Sequence, residues 1–199
     1  MRITKQIRST VTRTRLLVAA ISLLATEGFA ATTMARVADV ADVSAGPRQY
    51  YFPTSLMLFD AVVEHVLKFQ ETCFDRLDSS TNNREHIAQC LISVCNETRS
   101  TDNLAIIELS MACRGDSELG SLILDKIRVY EERAKARFLS LFEGSKMASA
   151  ELLEIRLILV AASSRFATSD LEQTDDNIHE STTNLLTNVL ADYIEQKSK

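Results

Sequence analysis

Residues 32–52 (TTMARVADVADVSAGPRQYYF) constrain the fold of this chain most, because they begin with a short helix that has a defined start and one apolar face. The hydroxyl of Thr32 or Thr33 can accept a hydrogen bond from an otherwise unpaired backbone N–H in the first turn. Four apolar residues follow at the i, i+3, i+4 and i+7 spacing of one helix face: Met34, Val37, Ala38 and Ala41.

A second short helix is predicted over residues 45–52. Ser44 supplies its N-cap, and Pro47 lies in its first turn, where the missing N–H costs little. The segment ends in three aromatic residues: Tyr50, Tyr51 and Phe52. Two short capped helices joined by a tight turn are typical of a helix-turn-helix, whose second helix can enter the major groove of DNA.

The rest of the chain is predicted to be helical. Proline is absent after Pro53, so long uninterrupted helices can form there. Apolar residues recur at helical spacing, no stretch alternates with the period of a strand, Gly28 ends the first helix and Thr54 caps a fourth. The sequence predicts an all-α protein of about nine helices, with a three-helix head over residues 1–53 and a helical body over residues 54–199.

Charge is unevenly distributed between these two regions. The formal net charge is −5 for the whole chain, and seven basic and three acidic residues through Phe52 give that region +4, which leaves −9 for the remainder. A basic head on an acidic body suits a head that meets a polyanion, although a chance asymmetry is the alternative.

The cysteines do not have the spacing of a metal site or a disulfide framework. They occur without a CxxC pair and without a histidine at ligand spacing, at Cys73, Cys90, Cys95 and Cys113. We expect reduced thiols packed among helices in a cytoplasmic protein, with a redox sensor as the alternative.

An apolar run at residues 16–25 imitates a signal peptide because Arg13 and Arg15 precede it. Its leucines and isoleucine instead have helical spacing and lead directly into the helix pair. No apolar run approaches the ~20 residues that cross a bilayer, so we expect no membrane partner.

The last two helices favour contact between subunits. Residues 157–162 (LILVAA) are apolar on every side, and the final helix carries a wide apolar face close to the chain end. Packing within one chain is the alternative, but a helix-turn-helix gains most from pairing two half-sites, so we expect a homodimer.

These features resemble the TetR family of bacterial transcriptional repressors over residues 15–63. The family pattern is an apolar first helix, Gly-Phe, a Thr-Thr cap, Val-Ala, Val-Ser before the recognition helix, a glycine two residues on, and an aromatic pair ending in Phe. This chain supplies its elements in order as Gly28-Phe29, Thr32-Thr33, Val37-Ala38, Val43-Ser44, Gly46 and Tyr51-Phe52.

The resemblance implies a homodimer that pairs through its last two helices and binds double-stranded DNA at a pseudo-palindromic operator. It implies contacts to DNA phosphates from four hydroxyl-bearing residues, Thr33, Ser44, Tyr50 and Tyr51. It also implies that Ala45, Gly46 and Gln49 face the groove, where glutamine can bind adenine with two hydrogen bonds.

Three positions depart from the family pattern. Arg48 stands where an apolar core residue is usual, and because a buried arginine is costly we expect it to turn outward to a phosphate or base. Gln49 replaces a usual aromatic residue, which should change the DNA sequence that is read. Ser55 replaces a lysine common at the start of the fourth helix, which should remove one phosphate contact.

The function that follows is a DNA-binding repressor released from its operator by a small-molecule effector bound in the body. The candidate effector-binding residues are Phe69, Cys73, Cys90, Met111 and Tyr130, and plain core packing is the alternative for each. No catalytic triad, phosphate loop or HExxH helix occurs, so we expect neither an enzyme nor a cofactor or metal. The alternative function is a helical dimeric interaction or sensor protein whose head has lost DNA binding.

Overall fold

The computed structural model describes residues 2–74, 83–143, 145–169 and 176–198, with side chains for residues 10–70, 83–143, 145–165 and 180–197. The described residues form nine helices and no strand, which confirms the all-α prediction. In chain order the helices are α1 (Arg2–Glu27), α2 (Met34–Val40), α3 (Ala45–Tyr51), α4 (Ser55–Phe74), α5 (Arg84–Thr98), α6 (Thr101–Ala112), α7 (Ser117–Ser140), α8 (Ser149–Ser169) and α9 (Asp176–Ser198).

The chain forms two compact units. The first unit contains Met1–Lys68 and Thr101–Arg128, and the second contains Phe69–Ser100 and Val129–Lys199. These two units are defined by how compactly their residues pack. The predicted boundary between residues 53 and 54 instead separates a DNA-binding head from an effector-binding body, and it stays a prediction.

Local capping signals determine where the helices of the first unit begin and end. The Thr33 hydroxyl accepts a hydrogen bond from the Arg36 N–H at 3.3 Å, and the Thr54 hydroxyl accepts one from the Met57 N–H at 3.2 Å. After α1, Gly28 has φ +83°, a left-handed conformation that favours glycine.

The core of the first unit joins α1 to α2, α3, α4, α6 and the start of α7. Its largest fully buried side chains are Leu16, Leu17, Leu24, Leu58, Leu109, Leu119 and Ile123. The Phe29 N–H also donates to the Glu108 carboxylate at 3.2 Å, so the turn after α1 is bound directly to α6.

The turn between α2 and α3 contains Asp42 at φ 50°, the only non-glycine residue with positive φ among those described. Aspartate tolerates this left-handed conformation better than most residues. The Arg15 guanidinium contacts the Asp42 carboxylate at 3.1 Å and donates to its backbone carbonyl at 3.2 Å, which ties the turn to α1.

The second unit packs α5 against α8 and α9, with the end of α7 in the same core. Phe138 is fully buried, and its ring lies 5.1 Å from that of Phe142. Helix α9 turns a narrow face inward, made mostly of small residues: Thr183, Thr187, Ala191 and Ile194. None of the described helices is long and apolar enough to cross a membrane.

Candidate nucleic-acid interface and regulatory site

Helix α3 presents its side chains outward rather than into the core. None of its residues is buried, and Ala45, Gly46, Gln49 and Tyr50 are exposed. A Cβ placed on Gly46 would meet no atom within 4 Å, so the helix surface is open at this position. The residues predicted to face the groove therefore share one accessible helix.

The two hydroxyl residues that precede α2 and α3 differ in their capping bonds. Thr33 uses its oxygen to cap α2, but its hydroxyl proton can still be donated to an acceptor such as a phosphate. Ser44 occupies the N-cap position of α3 with extended backbone, yet its side chain makes no capping hydrogen bond. The predicted N-cap position of Ser44 is confirmed, and its hydroxyl makes no capping hydrogen bond to the helix.

The two tyrosines of α3 are held against each other. Their ring centroids lie 5.0 Å apart, edge to face at 84°. Tyr50 is 78% exposed, whereas Tyr51 is half-buried and packs against the core of the first unit. Tyr51 thus anchors the end of the helix, and Tyr50 extends from it into solvent.

Arg48 does not simply turn outward as expected. It is half-buried, and its Nε is buried with no hydrogen-bond partner among the described residues. Its Nη1 reaches the surface and donates to the Gln49 Oε1 at 3.1 Å. Ser55, where the sequence lacks the usual lysine, is exposed as the first residue of α4.

The second unit contains a group of ionisable and polar side chains that the sequence did not reveal. We call Glu97 of α5, Tyr130 and Glu131 of α7, and Arg156 of α8 the polar cluster. The Tyr130 hydroxyl donates to the Glu97 carboxylate, and the Arg156 Nη2 donates to the Glu131 carboxylate at 3.2 Å. Arg156 is only 9% exposed, and its Nε is buried without a partner in the described part of the chain.

Burial controls the ionisation of this cluster. It raises the pKa of Glu97 to about 7, an effect that the Tyr130 hydrogen bond and the Arg156 charge only partly oppose. Burial, followed by the charge of Glu97, raises the pKa of Tyr130, so this phenol stays protonated at neutral pH. The cluster therefore combines hydrogen-bond donors with a carboxyl group that titrates near neutrality.

Glu97→Gln is expected to stabilise the protein at about pH 8 but not at about pH 5. Glutamine keeps an acceptor for Tyr130 and cannot ionise. Because the pKa of Glu97 is raised to about 7 in the folded state, the wild type loses stability as the pH rises from the ordinary value of 4.5 through that value. Urea denaturation should show the advantage of the variant growing by about 1–3 kcal/mol across this range. Glu132→Gln, an exposed position on α7, is the control and should show no such growth.

The five predicted effector-binding residues do not share one environment. Cys90 is fully buried, Tyr130 belongs to the polar cluster, and Phe69 is 54% exposed, all in the second unit. Met111 is 54% exposed and belongs to the first unit. Cys73 lies outside the residues whose side chains the structure describes.

The described cysteine thiols are poor nucleophiles. Burial raises the pKa of Cys90 to about 11 and also raises the pKa values of Cys95 and Cys113. Because the thiolate is the form that reacts with oxidants, these three residues are poorly suited to sensing redox state.

Helices α8 and α9 carry large side chains that their own chain leaves partly exposed. On α9, Leu185, Val189 and Tyr193 recur every four residues on one face and are 65%, 55% and 40% exposed. The Tyr193 hydroxyl donates to the Glu151 carboxylate of α8, and the Lys197 ammonium lies 5.6 Å from the Tyr193 ring centroid. On α8, Leu157 and Ile158 are 67% and 50% exposed, although the neighbouring Leu159 is fully buried. We call Leu157, Ile158, Leu185, Val189 and Tyr193 the outer α8–α9 face.

Comparisons with known proteins agree with this architecture. Residues 16–62 match the family model described as bacterial regulatory proteins, tetR family. A transcriptional regulator from Rhodococcus sp. Rha1 has a TM-score of 0.71 at 14% identity, covering 92% of this chain and 96% of its own. A TetR-family transcriptional regulator from Rhodococcus sp. has a TM-score of 0.64 at 15% identity, with coverages of 90% and 98%.

GusR from Salmonella enterica has a TM-score of 0.60 at 18% identity, covering 91% of this chain and 95% of its own. A comparison with curated protein sequences gave no significant match. Residues 16–62 therefore form an N-terminal domain of the tetR family of bacterial regulatory proteins, and the chain has the fold of the TetR-family transcriptional regulators that it resembles.

Proposed function

We propose that this chain is a homodimeric transcriptional repressor that binds a pseudo-palindromic operator and is released from it by a small-molecule effector. The observation that carries the proposal is the exposure of α3. This helix lies within residues that match the tetR family model and displays Ala45, Gly46, Gln49 and Tyr50 to solvent.

Two kinds of DNA contact are proposed. Hydroxyl donors would bind phosphate oxygens and set the position of the protein on the duplex: Thr33, Ser44, Tyr50 and Tyr51. Ala45, Gly46 and Gln49 would meet the edges of bases in the major groove, and Arg48 would reach a phosphate or a base. The uncommitted Ser44 hydroxyl and the exposed Tyr50 support these roles.

Dimerisation is proposed through the outer α8–α9 face. Its four aliphatic side chains, Leu157, Ile158, Leu185 and Val189, are 50–67% exposed in a single chain, and a second copy would remove them from water. Pairing two heads in this way would place two copies of α3 on successive half-sites.

The effector is proposed to bind in the second unit, with the polar cluster as its polar contact. Among the predicted effector-binding residues, Phe69, Cys73, Cys90, Met111 and Tyr130, only Tyr130 belongs to the cluster. Glu97 lies in the last turn of α5, directly before α6 in the chain, and Glu108 of α6 binds the Phe29 N–H of the head. A shift of α6 could therefore reach the head, provided that the effector binds the released form more tightly.

Tyr50→Ala is expected to weaken DNA binding by about tenfold, because it removes one phosphate contact and the ring that packs edge to face against Tyr51. Selection from a random duplex library would supply a DNA sequence that the wild type binds, and fluorescence anisotropy would measure the affinity for it. The folded state should be unaffected, since Tyr50 is 78% exposed. Tyr50→Phe is the matched control, which removes the hydroxyl and keeps the ring.

No selected DNA at low salt, or binding that does not weaken as salt rises, would rule out the repressor. The first of these results would favour the interaction or sensor protein whose head has lost DNA binding. Unchanged affinity in both tyrosine variants would instead remove Tyr50 from the interface.

A further inference from the structure

We infer that Arg48 is a positioning residue which fixes the amide of Gln49 as a hydrogen-bond donor, so that Gln49 selects guanine rather than adenine in each half-site. The inference rests on the proposed DNA binding. Gln49 alone would be expected to select adenine, because an unconstrained glutamine pairs with adenine through both its oxygen and its nitrogen. The contact with Arg48 changes that expectation to guanine.

The orientation of the Gln49 amide follows from its neighbour. Arginine carries only hydrogen-bond donors, so the Gln49 atom that lies 3.1 Å from the Arg48 Nη1 must be the oxygen. The Gln49 nitrogen, with both of its hydrogens, is then left for other partners. Gln49 is exposed, so this nitrogen is available to a base in the groove.

The Arg48 side chain is partly covered by the protein. The residue is half-buried, and its Nε is enclosed by the protein without a partner among the described residues. The stem of the side chain is therefore held, and only its tip reaches the surface beside Gln49. Partial burial limits the conformations open to the stem, which sets this position apart from an ordinary surface arginine.

The combined surface of the two side chains donates hydrogen bonds. Guanine offers two acceptors in the major groove, N7 and O6, and matches such a surface. Adenine offers N7 beside its N6 amino group, and that amino group would have to share the Gln49 oxygen with the Arg48 guanidinium. Bidentate binding of adenine would therefore bring two donors, one of them charged, to the same oxygen, which favours guanine over adenine.

The test is selection from a random DNA duplex library with full-length wild type, Arg48→Met, Gln49→Ala and Arg36→Met. Gln49→Ala identifies the base pair that Gln49 reads, as the position whose preference is lost. The wild type should prefer guanine there. Arg48→Met keeps a long stem but removes every donor, and should shift the ratio of guanine to adenine by about tenfold towards adenine.

Arg36→Met is the matched control because Arg36 is an exposed arginine of α2 that pairs with Glu27 at 2.9 Å. Its loss should leave the base preference unchanged. Thermal melting checks that each variant folds, and Arg48→Ala replaces Arg48→Met if the latter does not.

Each contrary result has a distinct meaning. Adenine in the wild type, guanine retained in Arg48→Met, or preferences unaffected by Gln49→Ala would each overturn the inference while the proposed repressor stands. A uniform loss of affinity in Arg48→Met with unchanged base preference would overturn it too, since Arg48 would then act on phosphate. Failure of the wild type to select any DNA would overturn the proposed function, and this inference with it.

Discussion

Replacing Leu185 and Val189 together with glutamate is expected to convert the proposed dimer into monomers and to lower the affinity for a selected operator by about 10²–10⁴-fold. Both side chains lie on the outer α8–α9 face and are 65% and 55% exposed in the single chain. Two buried carboxylates at the centre of an apolar interface would remain without partners, which opposes association. A monomer loses the gain of binding two half-sites at once.

Light scattering would measure the molar mass, and fluorescence anisotropy would measure binding to a selected operator. The control is Leu122→Glu with Leu124→Glu, which places the same charge at exposed apolar positions of α7. That variant should remain a dimer. A dimeric Leu185→Glu, Val189→Glu protein would show that the outer α8–α9 face is not the interface, and a monomer that retained full affinity would show that pairing does not strengthen binding.

Phe138→Ala is expected to destabilise the second unit by about 3–5 kcal/mol. Phe138 is fully buried and contacts Phe142, with 5.1 Å between the ring centroids. Removing the ring loses its burial and leaves a cavity that the surrounding helices can only partly fill. Urea denaturation followed by far-UV circular dichroism would measure the free energy of unfolding.

Because the chain has two compact units, unfolding can occur in two transitions, and the loss should then appear in the transition of the second unit. Leu124→Ala provides the comparison at a position that is 46% exposed, and its free energy of unfolding should stay within about 0.5 kcal/mol of the wild type. A loss below about 1 kcal/mol in Phe138→Ala would mean that the core around α7 repacks easily.

Much of the fold could be predicted because its signals are local. Thr33 and Thr54 cap the helices that follow them, and Asp116 does the same at the start of α7, where its carboxylate accepts from the Leu119 N–H at 2.9 Å. Gly28 likewise ends α1 with the positive φ that favours glycine. Such bonds join residues within one helical turn, so both partners lie close together in the sequence and can be recognised from it.

Other features depend on which helices pack together. Glu97, Tyr130 and Arg156 lie on three different helices, and nothing in their spacing along the chain indicates that they meet. Periodicity also extends the apolar stripe of α4 too far, because His65 and Phe69 continue its spacing but are exposed. Helical spacing predicts a face, whereas the length of that face which is covered depends on the neighbouring helices.

The residues predicted to contact DNA lie between these two cases. The sequence places Ala45, Gly46, Gln49 and Tyr50 on one short helix, and the structure leaves all four exposed. It does not predict the environment of Arg48, whose stem is covered while its tip lies beside Gln49. Burial of part of a long side chain depends on atoms that are distant in sequence.

The raised pKa values of the three described cysteines favour distance measurements by spin labelling. Burial raises the pKa values of Cys90, Cys95 and Cys113, so maleimide and methanethiosulfonate reagents should react slowly with them at neutral pH. With Cys73 replaced by serine, a cysteine introduced at exposed Ala35 of α2 would carry the label selectively. In a dimer, the separation of the two labels would report the distance between the two heads with and without a candidate effector.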